Sequence, residues 1–367
     1  MIRKLQFWLL LIVISMVFGA LVWMMLSQSK QSQIVRNPEE IALFLPGNVN
    51  DPGWNRAVFS DIKTAIDEAH IARIYTLQNV DDSNLSKAID SIRHRGIKTA
   101  IIAFPRCSGK IDDMVQANQD LHFIGLFNTS KRFANFTGYI PDFMQGAYLA
   151  GYAAAALAPR SRVGLVISYD IPLCNALVNA FVIGAKEALP GVMVYVTRAG
   201  SSDREALAQA AADRLIDIWQ VDSLSSFLMN AGVSYRAIDR GVPYIGFMED
   251  PRTIDPSLMI AQVKVSTDQI FDDVAKALER GRLLSGGTQI YDIRTETIGL
   301  ENYSNRIPNE LIRILKKLEQ NMRNGAVIFK GPLKDTKGTI RADFNEVLLD
   351  NAFDGTSWYV DGTYVVP

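Results

Sequence analysis

From residue 40 onward, short apolar runs alternate with stretches of helical apolar period. Runs at 40–45, 71–77, 99–104, 121–127 and 136–140 have the length of buried strands. Between them, helical patterns at about 54–70, 83–95 and 110–119 place their apolar residues on one face. Strands that alternate with helices of about 10–15 residues are typical of βαβ units, so this half predicts a parallel sheet covered by helices.

The same alternation starts again after a long Ala-rich helix at 143–157, for which Asp142 is a suitable N-cap. Gly146, Ala150 and Ala154 give that helix a small-residue face suited to close packing. Strands are predicted at 162–168, 192–197, 244–248 and 260–265, and helices at 172–189, 203–215, 235–240, 267–282 and 308–323. The segment 216–229 has a weak pattern, and 290–300 has strand character.

Two successive halves of this kind predict an α/β fold with two doubly wound parallel-sheet lobes. We expect residues 37–140 and about 250–290 to form lobe 1. Residues 141–249 and about 291–367 are expected to form lobe 2 and a C-terminal tail. Chain crossings near 140, 250 and 290 would then form a hinge, and ligands favour such domain interfaces.

The N-terminus predicts a membrane anchor. The run from Phe7 to Leu26 is uncharged, and its 20 residues would span about 30 Å as a helix, the thickness of a hydrocarbon core. No cysteine lies near its end, which excludes a lipoprotein signal. We favour an uncleaved signal anchor with a linker over residues 1–36, and a cleaved signal peptide is the alternative. Either way, the lobes would lie on the extracytoplasmic side of the cell membrane, in the first case behind a single span.

Composition and charge narrow the function classes. A net charge of -1 argues against a nucleic-acid partner. The three histidines have no metal-ligand spacing, and Cys107 and Cys174 make neither a metal motif nor a disulfide framework. The two cysteines follow strand ends in different lobes, and we expect free thiols because a disulfide across the cleft would lock the hinge. No P-loop, zinc helix, dinucleotide fingerprint or nucleophile elbow is present. The sequence therefore predicts no enzyme activity, no cofactor and no metal.

The loop at 45–55 is the first candidate binding element. It is rich in Gly, Asn, Asp and Pro, and it brings Asp51, Trp54 and Asn55 to the start of a helix. Loops after the carboxyl ends of strands line the ligand crevice in open α/β sheets. The alternative is an ordinary turn in which Trp54 packs on the helix and Asp51 caps it.

Other candidates follow strand ends for the same reason. They are Phe104, Arg106, Cys107, Asn128, Tyr169, Asp170 and Asn230. Arg106 could pair with an anionic ligand group, although a solvated loop arginine is the alternative. Tyr169 could fill the cleft or stack on a ligand.

Several motifs together resemble one family. They are Asp51-Pro52-Gly53-Trp54-Asn55, Tyr148-Leu149-Ala150-Gly151-Tyr152, Val163-Gly164-Leu165-Val166 followed by Pro172 and Gly184-Ala185, Ala231-Gly232, and Ile245-Gly246. In this order and spacing the chain resembles the basic membrane protein family of ABC-transporter substrate-binding proteins. The resemblance implies a type I periplasmic-binding-protein-like fold, a small-molecule ligand and an ABC permease as a possible partner.

The best-understood members bind purine nucleosides, with an aromatic residue from each lobe against the base and with carboxylates and a lysine on the ribose. The resemblance implies that Asp51, Trp54 and Asn55 keep the first-loop part of such a site. Asn128, Met248 and Gln269 stand where the family has its other ribose ligands, with Glu249 adjacent to Met248, and Ser202 stands in place of the second aromatic residue. The expected function is import of a nucleoside-like solute. A family member that senses or scaffolds at the membrane without binding a nucleoside is the alternative.

Overall fold

The computed structural model describes residues 32–34, 40–50, 54–104, 110–126, 133–248, 256–280, 282–284, 287–305, 307–348 and 356–367. The predicted anchor at 7–26 lies outside these residues. Among the helices described, none is long and apolar enough to span a bilayer.

The strands, in chain order, are β1 (Ser32–Ile34), β2 (Glu40–Phe44), β3 (Arg73–Leu77), β4 (Thr99–Ile102), β5 (His122–Leu126), β6 (Phe136–Pro141), β7 (Arg162–Ile167), β8 (Met193–Arg198), β9 (Ser223–Ser226), β10 (Tyr244–Phe247), β11 (Met259–Val265), β12 (Arg282–Leu284), β13 (Thr288–Tyr291), β14 (Ile298–Glu301), β15 (Leu333–Lys334), β16 (Ile340–Ala342) and β17 (Thr363–Val365). The helices are α1 (Trp54–Ala69), α2 (Leu85–His94), α3 (Lys110–Ala117), α4 (Phe143–Ala156), α5 (Pro172–Ala188), α6 (Glu205–Asp217), α7 (Gly232–Asp239), α8 (Asp268–Glu279) and α9 (Asn309–Arg323). Short 3-10 turns occupy Pro256–Leu258 and Ile293–Thr295.

Lobe 1 is built on a parallel sheet in the order β13-β6-β5-β4-β2-β3. Strand β2, which lies between β4 and β3, is apolar on both faces, and Ile41 to Phe44 are fully buried, as expected of a parallel strand covered on both sides. Helix α2 covers one face through its apolar stripe of Leu85, Ala88, Ile89 and Ile92. Helix α1 packs against the other face and against α8.

Lobe 2 is built on a second sheet in the order β14-β11-β10-β9-β7-β8-β17. All neighbouring strands are parallel except β14, which pairs antiparallel with β11. The predicted α/β fold with two largely parallel sheets is therefore confirmed. Helices α6 and α7 pack over one face, while α4, α5 and α9 cover the other.

Helices α4 and α5 cross at backbone contact. A Cβ placed on Gly151 would lie 1.9 Å from the carbonyl oxygen of Phe181, and one on Gly184 would lie 2.0 Å from that of Tyr148. Of the predicted small face, Gly146 lies against Val263 and Ile298 of the sheet. The predicted cap, Asp142, does occupy the N-cap position of α4, but its side chain makes no capping hydrogen bond.

The chain crosses between the lobes three times. It passes from β6 to α4 after Pro141, from β11 to α8 after Val265, and from β13 to β14 after Tyr291. The range of about 250–290 expected in lobe 1 is thus divided, because β11 pairs with β10 in the second sheet whereas α8 and β13 belong with the first. The middle crossing accordingly follows residue 265 instead of lying near 250. Apolar strands of either lobe have the same local pattern, so the pattern alone does not assign β11.

The C-terminal tail packs on lobe 2. Strands β15 and β16 form an antiparallel pair, and β17 adds a parallel edge strand beside β8. Side chains of α5 hold the tail in place, since the Nδ2 of Asn179 donates to the carbonyl oxygen of Trp358 at 3.1 Å and its Oδ1 accepts from the backbone N–H of Val360 at 2.8 Å.

Candidate functional site

The carboxyl edges of the two sheets face each other at the hinge. Each crossing leaves a sheet at the carboxyl end of a parallel strand, namely β6, β11 or β13. At the end of β10 the ring of Phe247 lies 5.9 Å from that of Phe143, which begins α4 directly after the first crossing. In such sheets ligands bind where the strand order reverses, which is between β2 and β4 in lobe 1 and between β7 and β9 in lobe 2.

Backbone hydrogen bonds tie the crossings together. The backbone N–H of Asp142 donates to the carbonyl oxygen of Tyr291 at 2.7 Å, and that of Ser266 donates to the carbonyl oxygen of Thr297 at 2.8 Å. Asp292 caps the turn that follows β13 and forms a capping box with Thr295. The third crossing is thereby fastened to the other two.

Ionisable groups line the lobe 1 side of this hinge. The hydroxyl of Tyr291 donates to Asp273 at 2.8 Å, and its ring stacks 6.3 Å from that of Tyr139. Burial raises the pKa of Tyr139 to about 12, and the neighbouring Asp273 carboxylate adds to the rise. Burial also raises the pKa of Asp61 on α1, although the hydroxyl of Thr267 donates to that carboxylate and offsets part of the effect.

Trp54 lies at the strand-order reversal of lobe 1, between the ends of β2 and β4. Its Nε1 donates to the carbonyl oxygen of Ala103, just beyond β4, at 2.7 Å, and only 3% of the residue is exposed. The indole belongs to the hydrophobic core of the lobe. The structure therefore gives Trp54 the packing role that was the alternative for this loop, and direct contact with a ligand stays a prediction.

Asn55 holds the same loop through a hydrogen bond to its backbone. Its Oδ1 accepts a 3.2 Å hydrogen bond from the backbone N–H of Gly47, and the residue is buried. The backbone N–H of Val49 is held in turn by Gln78 at 2.9 Å. The loop thus keeps its shape through side chains of α1 and of the turn after β3. Asp51 lies outside the described residues.

Of the other lobe 1 candidates, one is a core residue, one is exposed and the rest lie outside the described residues. Phe104 follows β4 and is 7% exposed, packed in the cluster between the sheet and helices α2 and α3, so it is a core residue. Arg106 and Asn128 lie outside the described residues. Gln269 is on the exposed side of α8, where its Nε2 donates to Asp273 at 3.3 Å.

In lobe 2, Tyr169 and Asn230 follow the two strands that flank the reversal. Tyr169 is 37% exposed at the end of β7, so its ring is accessible at this edge. Asn230 instead braces the backbone, since its Nδ2 donates to the carbonyl oxygen of Ser202 at 3.0 Å and its Oδ1 accepts from the N–H of Gly232 at 2.9 Å.

Met248 directly follows β10 in a left-handed conformation, with φ of 54°. This region is costly for a residue with a long side chain, and such conformations cluster at binding and active sites. The residue is partly buried and packs against the core. Glu249 lies outside the described residues.

An aromatic cluster at this edge was missed by the sequence analysis. Phe227 directly follows β9, and its ring lies 5.3 Å from that of Phe247 in an edge-on arrangement, while the ring of Phe143 also contacts that of Phe247. Phe143 and Phe227 are nearly buried and Phe247 is partly exposed. The available signal was the apolar end of the predicted strand 244–248, but Phe227 falls in the weakly patterned segment.

Metal and thiol chemistry find no support in the described residues. No group of three His, Cys, Asp or Glu side chains there could hold a metal ion. Cys174 is a buried free thiol, and its burial raises its pKa, so it stays protonated at neutral pH. Cys107 lies outside the described residues.

Comparison with known families decides the class of protein. A family described as "ABC transporter substrate-binding protein PnrA-like" matches residues 39–332. The chain belongs to this family of substrate-binding proteins. The resemblance found in the sequence is thereby confirmed.

Two curated relatives of this family member are informative. A protein named "Purine-binding protein" from Brucella abortus is 23% identical over 78% of this chain and 81% of its own length. Basic membrane protein A of Borreliella burgdorferi is 20% identical over 83% of this chain and 91% of its own length.

Solved structures agree on the fold. A solute-binding protein of an ABC transporter system from Aeropyrum pernix K1 superposes with a TM-score of 0.69 at 14% identity, covering 87% of this chain and 96% of that one. A transcriptional activator of the comK gene from Bacillus halodurans gives a TM-score of 0.63 at 18% identity over 78% and 98%. At these identities the similarity concerns the fold alone.

A separate groove of about 410 Å³ lies on the solvent side of α1. Its lining comes from the loop after β2 and the outer face of the helix: Val49, Asn50, Arg56, Phe59, Ser60, Lys63, Thr64 and Asp67. The buried face of α1 uses other positions, such as Val58 and Ile62, so this groove does not open between the sheets.

Proposed function

We propose that this family member is a membrane-anchored, extracytoplasmic binding protein that holds a nucleoside-like small molecule between its two lobes for import by an ABC permease. It binds and releases its ligand without chemical turnover. The observation that carries the proposal is the pair of facing carboxyl edges, one of which presents an aromatic cluster beside the hinge.

The geometry suits a flat, partly polar ligand. Aromatic rings bind the face of a nucleobase, a contact worth about 1–3 kcal/mol per base. Phe247 is the partly exposed member of the cluster and the best placed to make it. The name of the Brucella relative supports a purine as the base.

Hinge closure would complete the site. The three crossings, joined by backbone hydrogen bonds, form the hinge about which the lobes would rotate. A ligand that touches both edges stabilises the closed form in proportion to its contacts there. The uncharged run of 20 residues at 7–26 would keep the protein at the membrane, close to its permease.

Isothermal titration calorimetry on the detergent-solubilised full chain tests the proposal. Adenosine, guanosine, inosine and the corresponding free bases are the ligands, with ribose and amino acids as comparisons. We expect saturable binding of at least one purine, weakened at least tenfold by Phe247→Ala. The control is Phe344→Ala, which removes an aromatic ring that is 78% exposed on the tail.

The alternative is a family member that signals or scaffolds at the membrane. The burial of Trp54, at 3% exposed, favours it, because a ring packed in the core offers little face to a ligand. Absence of binding for every purine and comparison ligand would favour this alternative. Binding of a different solute alone would contradict the nucleoside-like ligand and keep the transport role.

A further inference from the structure

The tail reaches the carboxyl edge of the lobe 2 sheet through Tyr359. Its hydroxyl donates to the Oδ1 of Asn175, near the start of α5, at 2.6 Å. Asn175 is 2% exposed, and its Nδ2 donates both to Asp170 and to the carbonyl oxygen of Thr356 at 3.0 Å. The tail and the loop between β7 and α5 are therefore one hydrogen-bonded unit.

Asp170 and Arg198 form an ion pair within this unit that stays open to solvent. The Nη2 of Arg198 lies 2.8 Å from the Oδ2 of Asp170, while 39% of the arginine side chain and 52% of the aspartate side chain are exposed. Arg198 ends β8, and Asp170 lies just beyond β7, so both stand at the edge that faces lobe 1. Tyr169, with its ring accessible, is the next residue along the chain.

Tyr359 fixes the orientation of this pair. A hydrogen bond to the Tyr359 hydroxyl and the charges of Tyr359 and Asp170 hold the pKa of Arg198 above its ordinary value. The Tyr359 hydroxyl also lies 3.4 Å from the Oδ1 of Asp170. The carboxylate is thus held from one side by the arginine and from the other by Asn175 and the tail.

Three of the described candidate residues are poorly suited to bind the hydroxyl groups of a ribose. Met248 carries a thioether in place of a carboxylate, and Gln269 is exposed on α8 and bonded to Asp273. Asn230 uses both ends of its amide on the backbone of its own lobe. None of these three described side chains offers a carboxylate to the diol of a nucleoside-like ligand.

We propose that Asp170, oriented by Arg198 and Tyr359, is the acceptor for the vicinal diol of the ligand. This assignment rests on the proposed function and names the part of a nucleoside that lobe 2 recognises. A carboxylate accepts two hydroxyl donors through charge-assisted hydrogen bonds, which are about twice as strong as neutral ones. Because Arg198 pairs with the carboxylate of Asp170, this carboxylate accepts the diol without repelling an electron-rich base.

A pair of ligands that differ only in the two ribose hydroxyls measures the contribution of the diol to the binding affinity. The experiment is calorimetric titration of the full chain in detergent with adenosine, guanosine or inosine and with the 2′,3′-dideoxy form of the same nucleoside. The dideoxy form keeps the base and loses only the two hydroxyls. Wild type should bind the ribonucleoside at least tenfold more tightly than its dideoxy form.

Two variants test the residues. Asp170→Asn should lower ribonucleoside affinity at least tenfold and leave dideoxynucleoside affinity within about twofold, and Tyr359→Phe should cause a smaller loss of the same kind. Asp361→Asn is the control, since Asp361 also lies on the tail but pairs with Lys186 at 2.9 Å on the outer side of α5. It should leave both affinities unchanged.

The outcomes separate this assignment from the proposed function. Equal losses for the two ligands in Asp170→Asn, or no loss, would overturn the assignment while the proposed function stands. Wild type that binds both forms equally would do the same. Wild type that binds no purine compound would overturn both.

Discussion

The indole Nε1 of Trp54 and the carbonyl oxygen of Ala103 lie 2.7 Å apart and join the start of α1 to the end of β4. These residues stand on the two sides of the strand-order reversal in lobe 1. One hydrogen bond therefore fixes the loop after β2 against the neighbouring strand, at the position where α/β sheets bind ligands.

Replacing Trp54 with Phe removes this bond but keeps an aromatic ring in the core. We expect a loss of about 1–3 kcal/mol in the free energy of unfolding, because the carbonyl of Ala103 loses its donor in a buried setting. Trp54→Ala should cost about 3–5 kcal/mol through the cavity it leaves. Urea unfolding followed by circular dichroism measures both, and equal stability of wild type and Trp54→Phe would contradict the role of the bond.

The contact between α4 and α5 gives a second prediction. Gly151→Ala and Gly184→Ala each place a methyl group about 2 Å from a backbone carbonyl oxygen of the facing helix, which cannot move unless the helices separate. We expect each to destabilise lobe 2 by about 3 kcal/mol or more.

Gly191→Ala is the matched control for these glycines. A Cβ at Gly191 would meet no atom within 4 Å, so stability should change by less than about 0.5 kcal/mol. Thermal and urea unfolding compare the three variants. Similar stability for Gly151→Ala and Gly191→Ala would show that the helices are less closely packed than described.

Asp61 gives a prediction about pH. Burial raises its pKa, the hydrogen bond from Thr267 lowers it in part, and the charge of Asp268 raises it further. The folded protein therefore holds this proton more tightly than the unfolded chain does. The stabilisation is complete below the unfolded pKa of about 3.9 and is lost as the pH rises through the raised folded value.

Asp61→Asn removes this titration and keeps a polar partner for Thr267. Relative to wild type, the variant should gain stability between pH 4 and pH 7, as measured by urea unfolding at both values. Asp67→Asn, an exposed change on the same helix beside Lys63, serves as the control. If the pH dependence of Asp61→Asn matches that of wild type, Asp61 is not the titrating group.

Asn230 gives a prediction about the lobe 2 edge. Asn230→Ala removes one bond to the carbonyl oxygen of Ser202 and one from the N–H of Gly232, and should cost about 1–3 kcal/mol. Asn230→Asp keeps an acceptor for Gly232 at the start of α7, where a negative charge is favourable, so it should recover part of the loss. Urea unfolding of the two variants checks the order, and a more stable Ala variant would contradict it.

Much of the fold follows from the sequence alone. Parallel strands buried on both faces appear in the sequence as apolar runs, and amphipathic helices are recognised by the period of their apolar residues. For this reason the sequence located β2, β4, β7, α2, α8 and α9 to within a few residues. Residues after strand ends could be named for the same reason, since the carboxyl edge of a parallel sheet is fixed by chain direction.

Other features needed the tertiary structure. Strand β9 is Ser223-Leu224-Ser225-Ser226, a central strand with almost no apolar signal. Ser225 lies between Leu165 and Ile245 in the sheet, on the face covered by α4, where a small side chain suits a close helix. The residues 290–300 read as one strand, yet they hold β13 of lobe 1 and β14 of lobe 2, separated by the turn that Asp292 caps.

The sequence by itself determined the class of fold and the family, and it predicted the strand ends at which a ligand would bind, because chain direction and apolar period are local properties. The structure decided which of those residues pack or form hydrogen bonds within the protein and which keep surface that a ligand could contact. Trp54 and Phe104 are packed in the core and Asn230 is bonded to backbone, while Tyr169 and the Asp170–Arg198 pair keep accessible surface. Burial and hydrogen-bond partners depend on residues far away in the chain, as with Asn175 and Tyr359, so no local pattern contains them.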